Sequence, residues 1–187
     1  MTKRAQVGGG GFVATTIFPS AQCIAILDFL LCRFEETILI PMQATSNKST
    51  NKELLTHFKS IDILSDTVQL FANIKEQENI FTASAGRGIA YPHSTSVEVN
   101  ELTCCLGISK KGIDYNSTDG QDCHLILLTL SPADYPTEHR KFISRFRSMV
   151  QNPDIRSSLY GSDSRDEILN IISQWEEDDN RKDELVK

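Results

Sequence analysis

No stretch of the 187-residue chain approaches the roughly 20 apolar residues that a membrane-spanning helix requires. The best candidate, Cys23 to Cys32, is short and interrupted by Asp28. A secretory leader is not expected either. Lys3 and Arg4 are followed by Gly8 to Gly11 and by Pro19, not by a continuous apolar segment. Cysteines are few and unpatterned. The five, Cys23, Cys32, Cys104, Cys105 and Cys123, are odd in number and lack a CxxC spacing, which argues against a disulfide framework and against a thiolate zinc site. Reduced thiols in a cytoplasmic protein are the plain reading. The phosphate-binding pattern GxxxxGK[ST] is missing, as are HExxH and the calcium-loop spacing, and Gly86-x-Gly88 lacks the third glycine of a dinucleotide fingerprint. Positive charge is also in short supply. Nineteen Lys and Arg stand against 25 Asp and Glu, a formal net charge of -6, which argues against a nucleic-acid partner but leaves room for a local basic spot on a protein-docking face.

What is present has the make-up of a globular domain, with 40% hydrophobic and 24% charged residues. Residues 1–33 show a glycine run and a short apolar stretch without periodicity, and are expected to be a poorly ordered tail. From Phe34 onward the pattern becomes regular. Ile38 to Ile40 is a short apolar run closed by Pro41. Thr50 and Glu53 read as a capping box opening a helix with Leu54, Leu55 and Phe58 on one face. Ser65 is placed to cap a second helix with Val68, Phe71 and Ile74 inward. Leu102, Cys104, Leu106 and Ile108 alternate as in a strand with one buried face, broken by Gly112 before a short strand at Ile113 to Tyr115. Asp119-Gly120 marks a turn, and His124 to Leu130 is apolar enough for a central strand covered on both sides. Thr137 to Val150 predicts a helix with Phe142, Ile143, Phe146, Met149 and Val150 on one stripe. Asn152-Pro153 and Gly161 bound a short helix, and Ser164 with Glu167 opens a last one whose inner face is Ile168, Leu169, Ile172 and Trp175. Residues 177–187 are nearly all charged and are expected to fray. The succession predicts an α/β (α+β) domain over residues 34–176, a mixed β-sheet flanked by helices on both faces.

The chain has four histidines. His57 beside a helical apolar stripe and His124 at the start of a buried strand suit structural roles. His93 follows Pro92 and a stretch of small residues, whose backbone N–H groups can form an anion-binding concavity. His139 lies in the first turn of its helix, where free N–H groups attract anions and the helix field disfavours imidazolium. By spacing alone, a turn histidine at 93 and a helix-start histidine at 139 are the plainer readings.

The order of three segments changes that balance. Gly86-Arg87-Gly88-Ile89-Ala90-Tyr91-Pro92-His93 resembles the G-x-G-I-A-[IV]-P-H signature of the type-2 IIA domains of the bacterial sugar phosphotransferase system. Gly112-Ile113-Asp114-Tyr115, Asp119-Gly120, the apolar strand and Pro132 are similar to the segment that follows in that family. Glu138-His139 opens an amphipathic helix like the one that carries the family's second active-site histidine. The resemblance covers Phe34 to Trp175. It implies the family's mixed sheet between helices and a phosphotransferase role, in which His93 takes a phosphoryl group and His139 orients it. Gly86, Arg87, Gly88 and Ser94 are the further phosphate-binding expectations. No metal and no cofactor are implied. The implied donor is an HPr-type phosphocarrier protein and the implied acceptor a IIB domain or a regulatory target, with no nucleic acid and no membrane insertion. A lone IIA domain further resembles the nitrogen-regulatory branch.

One departure stands out. The family has an arginine sixteen residues before the phosphorylated histidine, and this chain has Gln77 there, followed by Glu78. Arg87 is the expected substitute for that cation. The alternative function is a regulatory binding module with reduced ability to accept phosphate.

Overall fold

The structure, a computed structural model, describes residues 30–132 and 136–185. The expected tail therefore lies mostly outside the described residues. The chain folds as a six-stranded mixed sheet between two helical layers. Strands β1 (Ile38–Leu39), β2 (Ser84–Gly86), β3 (Ile89–Ala90), β4 (His93–Thr95), β5 (Thr103–Ile113) and β6 (Cys123–Ser131) take the order β1-β5-β6-β3-β2, with β4 also pairing β6. Helices α1 (Leu31–Phe34), α2 (Asn47–Ser60), α3 (Val68–Ile80), α4 (Pro136–Gln151), α5 (Pro153–Gly161) and α6 (Arg165–Leu185) cover the faces.

Side-chain alternation on the two long strands sorts the core into two halves. Cys104, Leu106 and Ile108 of β5 and Leu125 and Leu127 of β6 pack with Phe34, Phe142, Phe146, Met149, Leu159, Ile168 and Ile172 beneath α1, α4, α5 and α6. Cys105, Ile126, Leu128 and Leu130 face the other way, onto Leu54, Leu55, Phe58, Leu70 and Ile74 of α2 and α3. This is why β6 reads as a continuous apolar run: both its faces are covered.

β3 and β4 are two pieces of one line along β6. β3 pairs with Leu125 and Ile126, β4 with Thr129 to Ser131. The break falls at Tyr91-Pro92. The Tyr91 N–H turns away to donate to Ala83 O at 2.8 Å, and Pro92 has no N–H to give. Pro92 O still accepts from Thr129 N at 3.1 Å, so the chain stays pinned to β6 where His93 begins.

Several local expectations change. Helix α2 begins earlier than Thr50, because Ser46 and Ser49 form the reciprocal capping box. Thr50 instead donates to Ser46 O, and Glu53 accepts from the N–H groups of Gln43 and Ala44. Ser65 does not cap α3. It binds Glu98, and Val68 is 73% exposed, with Leu70 and Ile74 making the inner face. Strand β5 passes through Gly112 to Ile113 with a shift of register rather than stopping there.

The chain ends also differ from expectation. Leu30 is fully buried and Leu31 packs against the core, so the described part of the expected tail joins it. Helix α6 runs to Leu185 instead of fraying after Trp175. The reason is Glu176, which is 1% exposed and accepts from the N–H groups of Leu30 at 2.8 Å and Leu31 at 3.1 Å. A carboxylate on the free N–H groups of a helix start is stabilised by their partial positive charge. One turn further, Arg145 of α4 pairs with Asp179 and with Asn180 Oδ1. Replacing Glu176 by alanine leaves the buried N–H of Leu30 and the half-buried N–H of Leu31 without their acceptor, and urea denaturation of Glu176→Ala is expected to show a loss of about 2–3 kcal/mol. An unchanged midpoint would refute this account of the joined ends.

Candidate active site

The site is assembled by β6 and α4. Thr129 is the polar residue on the α4-facing side of β6, between Leu127 and Ser131, and it is 1% exposed. Parallel pairing sets His93 of β4 directly beside it, on the same face of the sheet. Helix α4 crosses that face and brings His139 of its first turn to the same point. The Thr129 Oγ1 and the His139 Nε2 are 3.1 Å apart. The two imidazoles stand with ring centroids 5.9 Å apart and planes tilted by 33°. His93 is exposed and His139 half-buried.

Hydrogen bonding assigns the reactive nitrogen of His93. Its Nδ1 lies 3.4 Å from Tyr91 O. A carbonyl only accepts, so Nδ1 carries the proton in the neutral ring and Nε2 keeps its lone pair. An exposed Nε2 with a free lone pair, beside a second imidazole, suits nucleophilic attack on an electrophilic group brought from outside. Burial holds His139 below the usual histidine range, and His93 adds a smaller push in the same direction through charge repulsion. His139 is therefore neutral at physiological pH, with one N–H and one lone pair, and Thr129 fixes the ring.

The glycine turn has a different job from the one expected. Gly86, Arg87 and Gly88 form the β2–β3 turn, and all three have positive φ (75°, 57° and 75°). Its N–H concavity does hold an anion, but the anion is the chain's own Asp119: Arg87 N donates to Asp119 Oδ2 at 2.6 Å. The Asp119 carboxyl is held below its usual range by the Ser117 hydroxyl first and by the Arg87 N–H second. Tyr160 closes the turn from the other side, donating to Arg87 O at 2.8 Å. The turn is also remote from His93. Gly88 O accepts from Leu125 N, and Thr129 lies four residues further along β6, about 13 Å at strand rise. The Arg87 backbone is thus committed to this turn, while its guanidinium acts on the Tyr91 hydroxyl, two residues before His93. Ser94 is 4% exposed and points to the opposite face from His93, following strand alternation. Gln77 is an exposed residue in the last turns of α3.

His57 and His124 sit apart from the pair. His57 Nε2 lies 3.3 Å from Glu36 O. His124 Nδ1 lies 2.8 Å from Ser109 O, and its ring is 5.1 Å from Tyr160. Cys104, Cys105 and Cys123 are buried, and burial pushes the Cys105 thiol well up. Among the described residues no three histidine, cysteine or carboxylate side chains converge as metal ligands, and no helix is long and apolar enough to cross a membrane.

Two residues of the site were not anticipated. Thr129 is the lone hydroxyl inside the apolar run His124 to Leu130, and a polar residue at a core position was the available signal. Tyr91 packs edge-on against Phe146 at 6.1 Å, and the Arg147 guanidinium lies 5.2 Å over its ring. Burial raises the Tyr91 hydroxyl to about 12, with Arg147 opposing, so it stays neutral.

Residues 33–175 match the family model described as "Phosphoenolpyruvate-dependent sugar phosphotransferase system, EIIA 2". The chain is 28% identical over 140 residues to the PTS system fructose-specific EIIABC component of Bacillus subtilis, covering 75% of this chain but only 22% of that protein. It is 24% identical over 139 residues to a nitrogen regulatory protein of Bradyrhizobium diazoefficiens, 74% of this chain and 90% of that one. In three dimensions it resembles the nitrogen regulatory protein IIA-Ntr of Neisseria meningitidis, with a TM-score of 0.68 at 21% identity, over 75% of this chain and 96% of the other.

A titration checks the electrostatics. The His139 ring should titrate below 6.5 by NMR, and in His93→Gln its midpoint should rise while staying below 6.5, since burial is the larger cause. The sign for stability follows. Below 6.5 the unfolded chain binds a proton at this position that the folded chain resists. His139's contribution is therefore complete above the usual histidine range and is lost as pH falls toward the folded midpoint. A midpoint above 6.5 would contradict the half-buried placement.

Proposed function

Since the chain belongs to the EIIA 2 family of the phosphoenolpyruvate-dependent sugar phosphotransferase system, we propose that His93 is its phosphoryl-carrying residue, loaded by an HPr-type phosphocarrier protein. The observation that supports this reading most directly is the His93–His139 pair, 5.9 Å apart over Thr129 at an open edge of the sheet. The lone pair of His93 Nε2 attacks the phosphorus of the donor's phosphohistidine. The new P–N bond forms as the donor's P–N bond breaks, and the electron pair of the broken bond stays on the donor's ring nitrogen. No metal ion is needed for that exchange.

His139 orients the incoming group through its ring N–H. The neutral ring offers one N–H donor for this and keeps a lone pair for Thr129. Positioning and hydrogen bonding to the equatorial oxygens account for the acceleration. The rigid backing comes from Thr129, itself locked in β6. The acceptor is a IIB-type domain or a regulatory target in the cytoplasm. Use as a signal is supported by the near-full-length match to the Bradyrhizobium nitrogen regulatory protein. A phosphoryl group at an exposed histidine adds charge and acceptor oxygens to a docking face, which is enough to change partner choice. Gln77, where the family has arginine, favours slower loading and gives the alternative of a binding module with reduced phosphate acceptance its one supporting observation.

Incubation with phosphoenolpyruvate, enzyme I and HPr should produce an acid-labile adduct that is lost in His93→Ala. In His139→Ala the adduct should still form, at a rate lower by about 100-fold, in the range for losing one positioned donor. Persistence of the adduct in His93→Ala would refute the assignment. Thr129→Val should lie between wild type and His139→Ala, because it frees the ring without removing it.

A further inference from the structure

The exposed side of α4 carries a charge pattern opposite to that of the whole chain. The helix holds Arg140, Lys141, Arg145 and Arg147 against the single acid Glu138, in a chain of net charge -6. Arg145 is used internally, in its pair with Asp179. Among the described residues Arg140, Lys141 and Arg147 have no carboxylate partner within ion-pair distance. Spacing of three and four puts Arg140, Ser144, Arg147 and Gln151 on one helical stripe. That stripe borders a groove of about 400 Å³ that starts at His139 and also touches Ile143. Arg147 is held in place over the Tyr91 ring rather than waving in solvent.

We infer that the α4 groove is a docking face for a partner protein whose contact surface is acidic. The inference rests on His93 being the phosphoryl carrier, because any protein that exchanges phosphate there must lie over His139 and the start of the groove. The net charge of the molecule repels an acidic visitor, and the basic α4 face beside His93 attracts one. Charge of that distribution orients the encounter as well as speeding it.

The test uses the full chain, its cognate phosphorylated HPr-type donor and, separately, phosphoramidate as a small donor. The initial rate of His93 labelling by the protein donor should fall by about tenfold between about 50 and 500 mM NaCl, the behaviour of attraction between exposed opposite charges. Arg140→Glu, at an exposed position, should slow that reaction by about fivefold at low salt and flatten its salt dependence, while Arg140→Lys should behave like wild type. A protein-donor rate that is flat or rises with salt, while phosphoramidate still labels His93, overturns the acidic partner and leaves the carrier reading standing. Failure of both donors to label His93 overturns the carrier reading and this inference with it.

Discussion

Strand β6 must bury both of its faces, and that requirement organises the molecule. Nine residues from Cys123 to Ser131 are covered by α4 and α5 on one side and by the α2–α3 layer on the other. A strand in that position offers no reactive side chain to a visitor. It can only serve as the ruler along which other elements are set. His93 is placed by pairing with it, and His139 by packing across it. Thr129 is the residue through which the ruler touches the chemistry, and its hydroxyl can be buried because the imidazole satisfies it. The two parts of the domain that present the histidines, β4 and the first turn of α4, thereby gain the rigidity of the core without being buried in it.

The fold was largely legible in the sequence because its signals are local and periodic. The apolar run of β6, the stripe Phe142–Phe146–Met149 and the Asn152-Pro153 start all act within a few residues, and each appears where the pattern placed it. What the pattern missed depends on partners distant in sequence. Glu176 is one residue in a charged run, yet it is buried because the N–H groups of Leu30 and Leu31, some 145 residues earlier, need an acceptor. Val68 carries the correct spacing for an inner face and is exposed, because α3 is rolled so that Leu70 and Ile74 meet the sheet. Periodicity fixes a face of a helix only to within about a residue.

The candidate site divides in the same way. The two histidines were found through resemblance rather than through spacing, and the structure brings them together. The glycine motif that helped to find them lies elsewhere, as a hairpin turn closed by Asp119 and Tyr160. The motif and the histidine are neighbours in sequence because a short extended segment joins them, and it is that extension which carries them apart. Arg147 and Tyr91 could not be joined by any local rule, since 56 residues separate them.

The exposure of His93 has a temporal side. A group attached to an imidazole inside a closed pocket is sheltered from bulk water, whereas one attached here is within reach of every solvent molecule as well as of the intended recipient. The charged state would then decay of its own accord unless renewed, and the surroundings of the ring would determine how quickly. Were His93 to carry such a group, the interval over which it persisted would be governed by the openness of a single sheet edge.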